Sequence, residues 1–205
     1  MAPRMVGTVL AGFLALSAAA VGPAEAAWSV SQGDVRVVCP MTVGGSFEAR
    51  TNALSGLVDV GQARPAAFVG DLVVDLRTLD TGIGMRNDHM KEGYLEVGKG
   101  DGFEMAVLSD IRLGDVDAQS FEGKTAFTGT LRLHGAKRTV TGQAEVRRAG
   151  SSVRVEAAFP VTLSDYGIPK PQYLGVGVRS EVQVKVSFVA APGTGPGANS
   201  AGGSR

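Results

Sequence analysis

A chain of 205 residues with a single cysteine cannot staple itself. Cys39 has no intramolecular partner, so the fold must be held by packing. Burial as a free thiol and pairing with another molecule are the two readings open for Cys39. Histidine is almost as scarce: His89 and His134 are the only two. They stand 45 positions apart, without a usable cysteine pair, so the residues for a zinc site are missing. Charge of one sign is missing too, with 20 basic residues against 20 acidic ones. Such a balance offers no field for phosphate backbones, which excludes nucleic acid as the expected partner. No serine elbow and no Walker loop is present, and no cofactor is implied.

The two ends differ from what lies between them. Arg4 precedes an uncharged apolar run, Met5 to Val21, followed by Gly22-Pro23 and the small-x-small triplet Ala24-Glu25-Ala26. The run is short for a membrane span, and the pattern is that of a secretory signal peptide over residues 1–26. Export, to the periplasm or outside the cell, is therefore expected. At the other end, residues 191–205 are almost all Gly, Ala, Ser and Pro, too poor in apolar bulk to offset the entropy of ordering. A disordered tail is expected there. Residues 27–190 have the size of one domain.

Within that domain, apolar and polar residues alternate in segment after segment. Asp34 to Val38 opens the series; Phe47 to Arg50 and Leu54 to Val60 read as one strand with an irregular middle. Phe68, Gly70, Leu72, Val74 and Leu76 share one face of the next strand, with Asp71, Asp75 and Arg77 on the other. Phe103, Met105, Val107, Ile111 and Leu113 follow, with Ser109 as the one polar residue on that face. Later strands set Phe127, Gly129, Leu131 and Leu133 inward, then Val140 to Val146, then Val153 to Leu163, then Val178 to Phe188. About eight one-sided antiparallel strands must close on themselves or find a second layer. With one short helical segment available, an all-β, lipocalin-like antiparallel barrel is favoured over a sandwich, and such barrels can hold one small ligand.

The helical segment is Leu76 to Val97, where alternation stops and Ile83, Met90, Tyr94 and Val97 fall at helical spacing. Asn87 or Asp88 is expected to cap its start and Gly93 to end it. Arg86, Asp88 and His89 could form a base, an orienting carboxylate and an anion site, but nothing else catalytic accompanies them. His134 sits at a Gly turn and reads as a turn residue. Inward glycines at positions 70, 129 and 142 leave ligand space or mark close backbone approach.

Several motifs together resemble the YceI-like family of exported lipocalin-like domains. They are Leu79-Asp80-Thr81-Gly82, Arg86-Asn87-Asp88-His89-Met90, Tyr94-Leu95-Glu96-Val97, Gly129 to Gly135, and Ser164-Asp165-Tyr166-Gly167-Ile168. The resemblance runs from about Trp28 to Phe188. It departs at Cys39-Pro40, where the family usually has a histidine nearby, and at Gly100-Asp101-Gly102, where a proline is usual. The resemblance implies a barrel with a helix at its mouth, no enzymatic activity, and a long-chain isoprenoid or fatty-acyl lipid as ligand. The expected lipid-binding residues are Phe68, Leu72, Leu76, Met85, Met90, Tyr94, Phe103, Met105, Phe127, Leu131, Phe159 and Tyr166. Arg86 and His89 are expected to meet the head group or orient the helix. A transient membrane contact and a homodimer are compatible with this reading. The alternative is an exported protein-interaction module whose barrel is fully packed.

Overall fold

The computed structural model describes residues 27–60, 67–100, 102–114, 116, 120–173 and 176–193. The expected signal peptide and all but the first three residues of the expected tail lie outside these residues; those three belong to the last strand and its end. The strands are β1 (Trp28–Pro40), β2 (Ser46–Thr51), β3 (Leu54–Val60), β4 (Ala67–Asp75), β5 (Met105–Leu113), β6 (Gly123–Leu133), β7 (Ala136–Ala149), β8 (Ser152–Thr162), β9 (Gln172–Tyr173), β10 (Val176–Gly177) and β11 (Glu181–Pro192).

β3 to β8 form an antiparallel meander that continues from β8 to β11, and β11 pairs with β1 to close the ring. β2 and β3 meet the same edge of β1 in one register, Val35 opposite Thr51 and Trp28 opposite Val58. They therefore act as one strand interrupted at residues 52–53, and the barrel has eight strands. Closure removes the exposed edges that an open sheet of this size would present. The outward faces carry the polar half of the alternation, where Asp34–Arg36, Glu48–Arg50 and Glu145–Arg147 pair two residues apart along their strands, and Asp75 at the end of β4 pairs with Arg77 just beyond it. Such exposed pairs add little stability.

Two strands depart from the simple alternation: β1, where register shifts between Ser31 and Asp34 with Gln32 at φ +51°, and β5. Ladder register shifts in β5 between Ser109 and Arg112, and Asp110 sits at φ +51°. This bulge changes the parity: Ala106 and Leu108 face the lumen before it, Ile111 and Leu113 after it. Met105 and Val107 accordingly fall on the other side, which corrects the expectation that all odd positions from 103 to 113 point inward.

The helix begins at Gly84, with Ile83 before it and no side-chain cap. Asn87 lies near its end and reaches back instead. Its Oδ1 accepts from the Thr81 N–H at 2.8 Å and its Nδ2 donates to Asp80 Oδ1 at 2.7 Å. Asp80 also exchanges both backbone hydrogen bonds with Arg50 on β2, at 2.8 and 2.9 Å. The Asp-Thr-Gly and Arg-Asn-Asp-His motifs are thus one anchor, which pins the helix to the barrel rim where β2 has parted from β4. Past Asp88 the helix widens: the Leu95 N–H reaches the Met90 carbonyl, five residues back, at 2.8 Å. Gly93 lies inside that wide turn rather than ending it, and wide turns of this kind often occur at functional sites.

Candidate functional site

The barrel is hollow. No large side chain among the described residues is fully buried, and a cavity of about 770 Å³ fills the half of the lumen under the helix. Its wall is apolar and aliphatic: Val35, Val37, Val74, Val161, Val182 and Val184 from the strands, with Ala49 and Ala106. With nine leucines beside them, these side chains still do not fill the lumen, and the centre stays empty. At the mouth the helix contributes Arg86, Asp88, His89, Met90, Glu92 and Tyr94, facing Pro171, Gln172 and Val176 from the late irregular segment. That segment is tied to the β1–β2 turn by Thr42 N–H to Gly177 O, 2.7 Å, and Arg179 N–H to Pro40 O, 2.8 Å. The two sides of the mouth therefore have separate anchors on one rim.

Of the expected ligand residues, Leu72, Leu76, Met90, Tyr94, Leu131 and Phe159 stand in the wall of this cavity. Phe68 and Phe127 line instead a second space of about 130 Å³ at the far end, together with Trp28 and Phe188. Four residues belong to neither wall. Met85 points to solvent and is 71% exposed. Met105 is turned outward ahead of the bulge. Phe103 packs its ring edge-on against His134 at 4.6 Å, outside the lumen. Tyr166 is buried in the core, and its hydroxyl makes no hydrogen bond among the described residues.

The inward glycines do not create the space. A Cβ at Gly70 would stand 2.1 Å from the Leu57 carbonyl, at Gly142 2.4 Å from the Ala158 carbonyl, and at Gly129 2.9 Å from Leu108 Cδ1. Close approach is their reason.

Arg86 stacks its guanidinium over Phe47, 4.3 Å from the ring centroid. This cation–π contact holds the charge at the rim. Asp88 and His89 are exposed, so the three residues considered as a catalytic set have no shared sheltered geometry. Cys39 lines the chamber below; burial pushes its thiol up to about 11, against the opposing pull of Arg86. The thiol is neutral at physiological pH and adds to the apolar wall.

His134 has a role that its place in a turn did not suggest. Nδ1 lies 2.9 Å from the Tyr166 carbonyl and Nε2 3.0 Å from Glu96 Oε2, with the side chain only 9% exposed. Both partners are acceptors, so both contacts are hydrogen bonds only when each ring nitrogen carries a proton. Glu96, at φ +51°, also meets Lys99 at 2.6 Å. Lys99 first, and then His134, holds the Glu96 carboxyl below its ordinary range, against partial desolvation. His134 thereby joins the segment after the helix to the segment after β8.

A family model for YceI-like domains matches residues 26–190, most of the chain. The chain belongs to the YceI-like family. It is 33% identical over 135 residues to a UPF0312 protein of Vibrio vulnificus, covering 62% of this chain and 68% of that relative. Among solved structures it resembles BcnA of Burkholderia cenocepacia, with TM-score 0.61, 20% identity, 78% of this chain and 96% of that one. It is also similar to a polyisoprenoid-binding domain from Saccharophagus degradans, with TM-score 0.61, 18% identity and coverage of 82% and 99%. At these identities the structures speak for the fold. That fold is the binding-type barrel expected of the family.

Proposed function

We propose that this YceI-like protein is an exported carrier or sequestering protein for a long isoprenoid or fatty-acyl lipid. The chain would lie in the 770 Å³ chamber and the polar end at the mouth, beside Arg86 and His89. The observation that carries this reading is the hollow, aliphatic interior under a polar rim. A packed barrel serving only as an interaction module would have filled that space. The polyisoprenoid-binding domain of S. degradans supports the ligand class. Binding here is passive, because transfer of methylenes from water, about 0.8 kcal/mol each, far exceeds any single head-group contact.

The segment 1–26 has the features of an export signal, which would place the protein in the periplasm or outside the cell, where such a lipid must cross water. Val43, Ile83 and Met85 are exposed apolar residues on the mouth side, 67%, 48% and 71% accessible. They suit transient contact with a bilayer from which the lipid is drawn. Leu57 and Val69, exposed on the outer wall, are the surface on which a homodimer would form.

Solvent extraction of natively purified protein, followed by mass spectrometry, tests the reading. A stoichiometric lipid with one long apolar chain is expected. Protein that comes out empty and takes up no prenyl or fatty-acyl lipid from vesicles would overturn it.

A further inference from the structure

The lumen is two spaces that share four wall residues: Leu72, Leu108, Phe159 and Val186. Leu72 and Leu108 are direct cross-strand partners on β4 and β5. Phe159 and Val186 stand on β8 and β11, across the lumen, with two strands intervening in either direction around the ring. These residues therefore form two jaws on opposing walls.

The jaws differ in freedom. Phe159 is held edge-on against Phe127, with ring centroids 5.8 Å apart and planes at 90°. Gly142 makes room for that pair, since a Cβ there would stand 2.6 Å from the Phe127 ring and 2.7 Å from Phe159 Cβ. Leu108 is only half-buried, and the end of its side chain rests over Gly129. The missing Cβ of Gly129 leaves a notch in the wall that the end of Leu108 occupies. A leucine so placed can change rotamer without moving backbone.

We propose that these four residues are a constriction that sorts ligands by chain length, with Leu108 as its moving part. Chains that end above it stay in the main chamber. Longer chains displace Leu108 and place their far end in the smaller space among Trp28, Phe68, Phe127 and Phe188. This rests on the lipid-binding reading above and adds the chain-length rule to it.

The test uses the whole protein and three prenyl alcohols, farnesol, geranylgeraniol and solanesol, competing against a bound fluorescent fatty acid. The quantity read is the affinity for solanesol relative to farnesol. Leu108→Ala opens the constriction and should raise that ratio about tenfold, the change made by roughly two more buried methylenes. Gly129→Ala should lower it by a similar factor, because the new Cβ pushes Leu108 off the wall into the lumen. The backbone at Gly129 is not left-handed, and the tightest contact of the new Cβ, 2.9 Å, is with the movable end of Leu108, with the Ser109 carbonyl at 3.3 Å, so this variant decides the matter even if Leu108→Ala fails to fold. A ratio unchanged in the folded variants would overturn the constriction alone. Failure of the unaltered protein to bind any probe would overturn the lipid-binding reading, and this proposal with it.

Discussion

The two halves of one barrel are built from the same strands and the same alternation, yet one is hollow and the other nearly filled. Near the mouth the inward strand positions are mainly leucine and valine, and about 770 Å³ stays open. At the far end Trp28, Phe68, Phe127 and Phe188 reach inward, and about 130 Å³ remains. Aromatic bulk decides the difference, since the strand geometry is common to both. Of the four phenylalanines that alternation sets inward as expected ligand contacts, Phe68 and Phe127 close the far end instead. Aliphatic residues, with few rings among them, leave the mouth half open.

The largest expected effect lies in that contrast. Phe127→Ala should cost about 3–5 kcal/mol in denaturant unfolding, whereas Val184→Ala, whose side chain already borders a void, should cost less than about 1.5 kcal/mol. Equal costs would mean that the mouth half is packed as tightly as the far half. Next comes the mouth latch. Loss of the Tyr166 carbonyl hydrogen bond and the Phe103 packing in His134→Ala should cost about 2 kcal/mol. Hydrogen exchange should accelerate around residues 94–97 and 163–168 and stay unchanged in β7 and β8. Acid should act in the same place. Because the Glu96 carboxyl is depressed in the folded state, its contribution is present above the unfolded value and is lost as pH falls through the lower folded one. The mouth should therefore loosen in acid, and Glu96→Gln should remove that dependence.

Filling the hollow half sharpens the comparison further. Ala106→Phe projects a ring into the main chamber and should weaken lipid retention about tenfold, with little change in stability. Retention that survives this change would move the ligand elsewhere. The smallest effects concern polar groups in the apolar interior. With its thiol at about 11, Cys39 should carry about a hundredfold less thiolate than an ordinary cysteine and resist alkylation at pH 8 in the folded protein. Rapid native labelling would show that the chamber is wetter than its lining suggests.

The strand series was legible because alternation is a local property, and the interruption of β2 and β3 was visible as an irregular middle. The parity of β5 was not. A count in steps of two runs straight through Ser109-Asp110, and only the ladder reveals that one residue is unpaired there. Asn87 misled in a similar way. Its type suits a helix start, but the competing hydrogen bonds to Thr81 and Asp80 decided its place. The sequence shows His134 only as a turn residue, because its two partners, Glu96 and Tyr166, lie 38 and 32 positions away.

By itself the sequence determined the number of strands, the amphipathic faces of those without a bulge, the mouth insertion and hence a closed barrel of the YceI-like kind. Each of these follows from the backbone period and from short motifs that act on their neighbours. Tertiary structure alone decided where the barrel is empty. That depends on which side chains face one another across the lumen: Phe127 with Phe159, Leu72 and Leu108 opposite Val186, and Leu108 over the missing Cβ of Gly129. Volume is a property of such meetings, and residues far apart in the chain meet only when the ring closes.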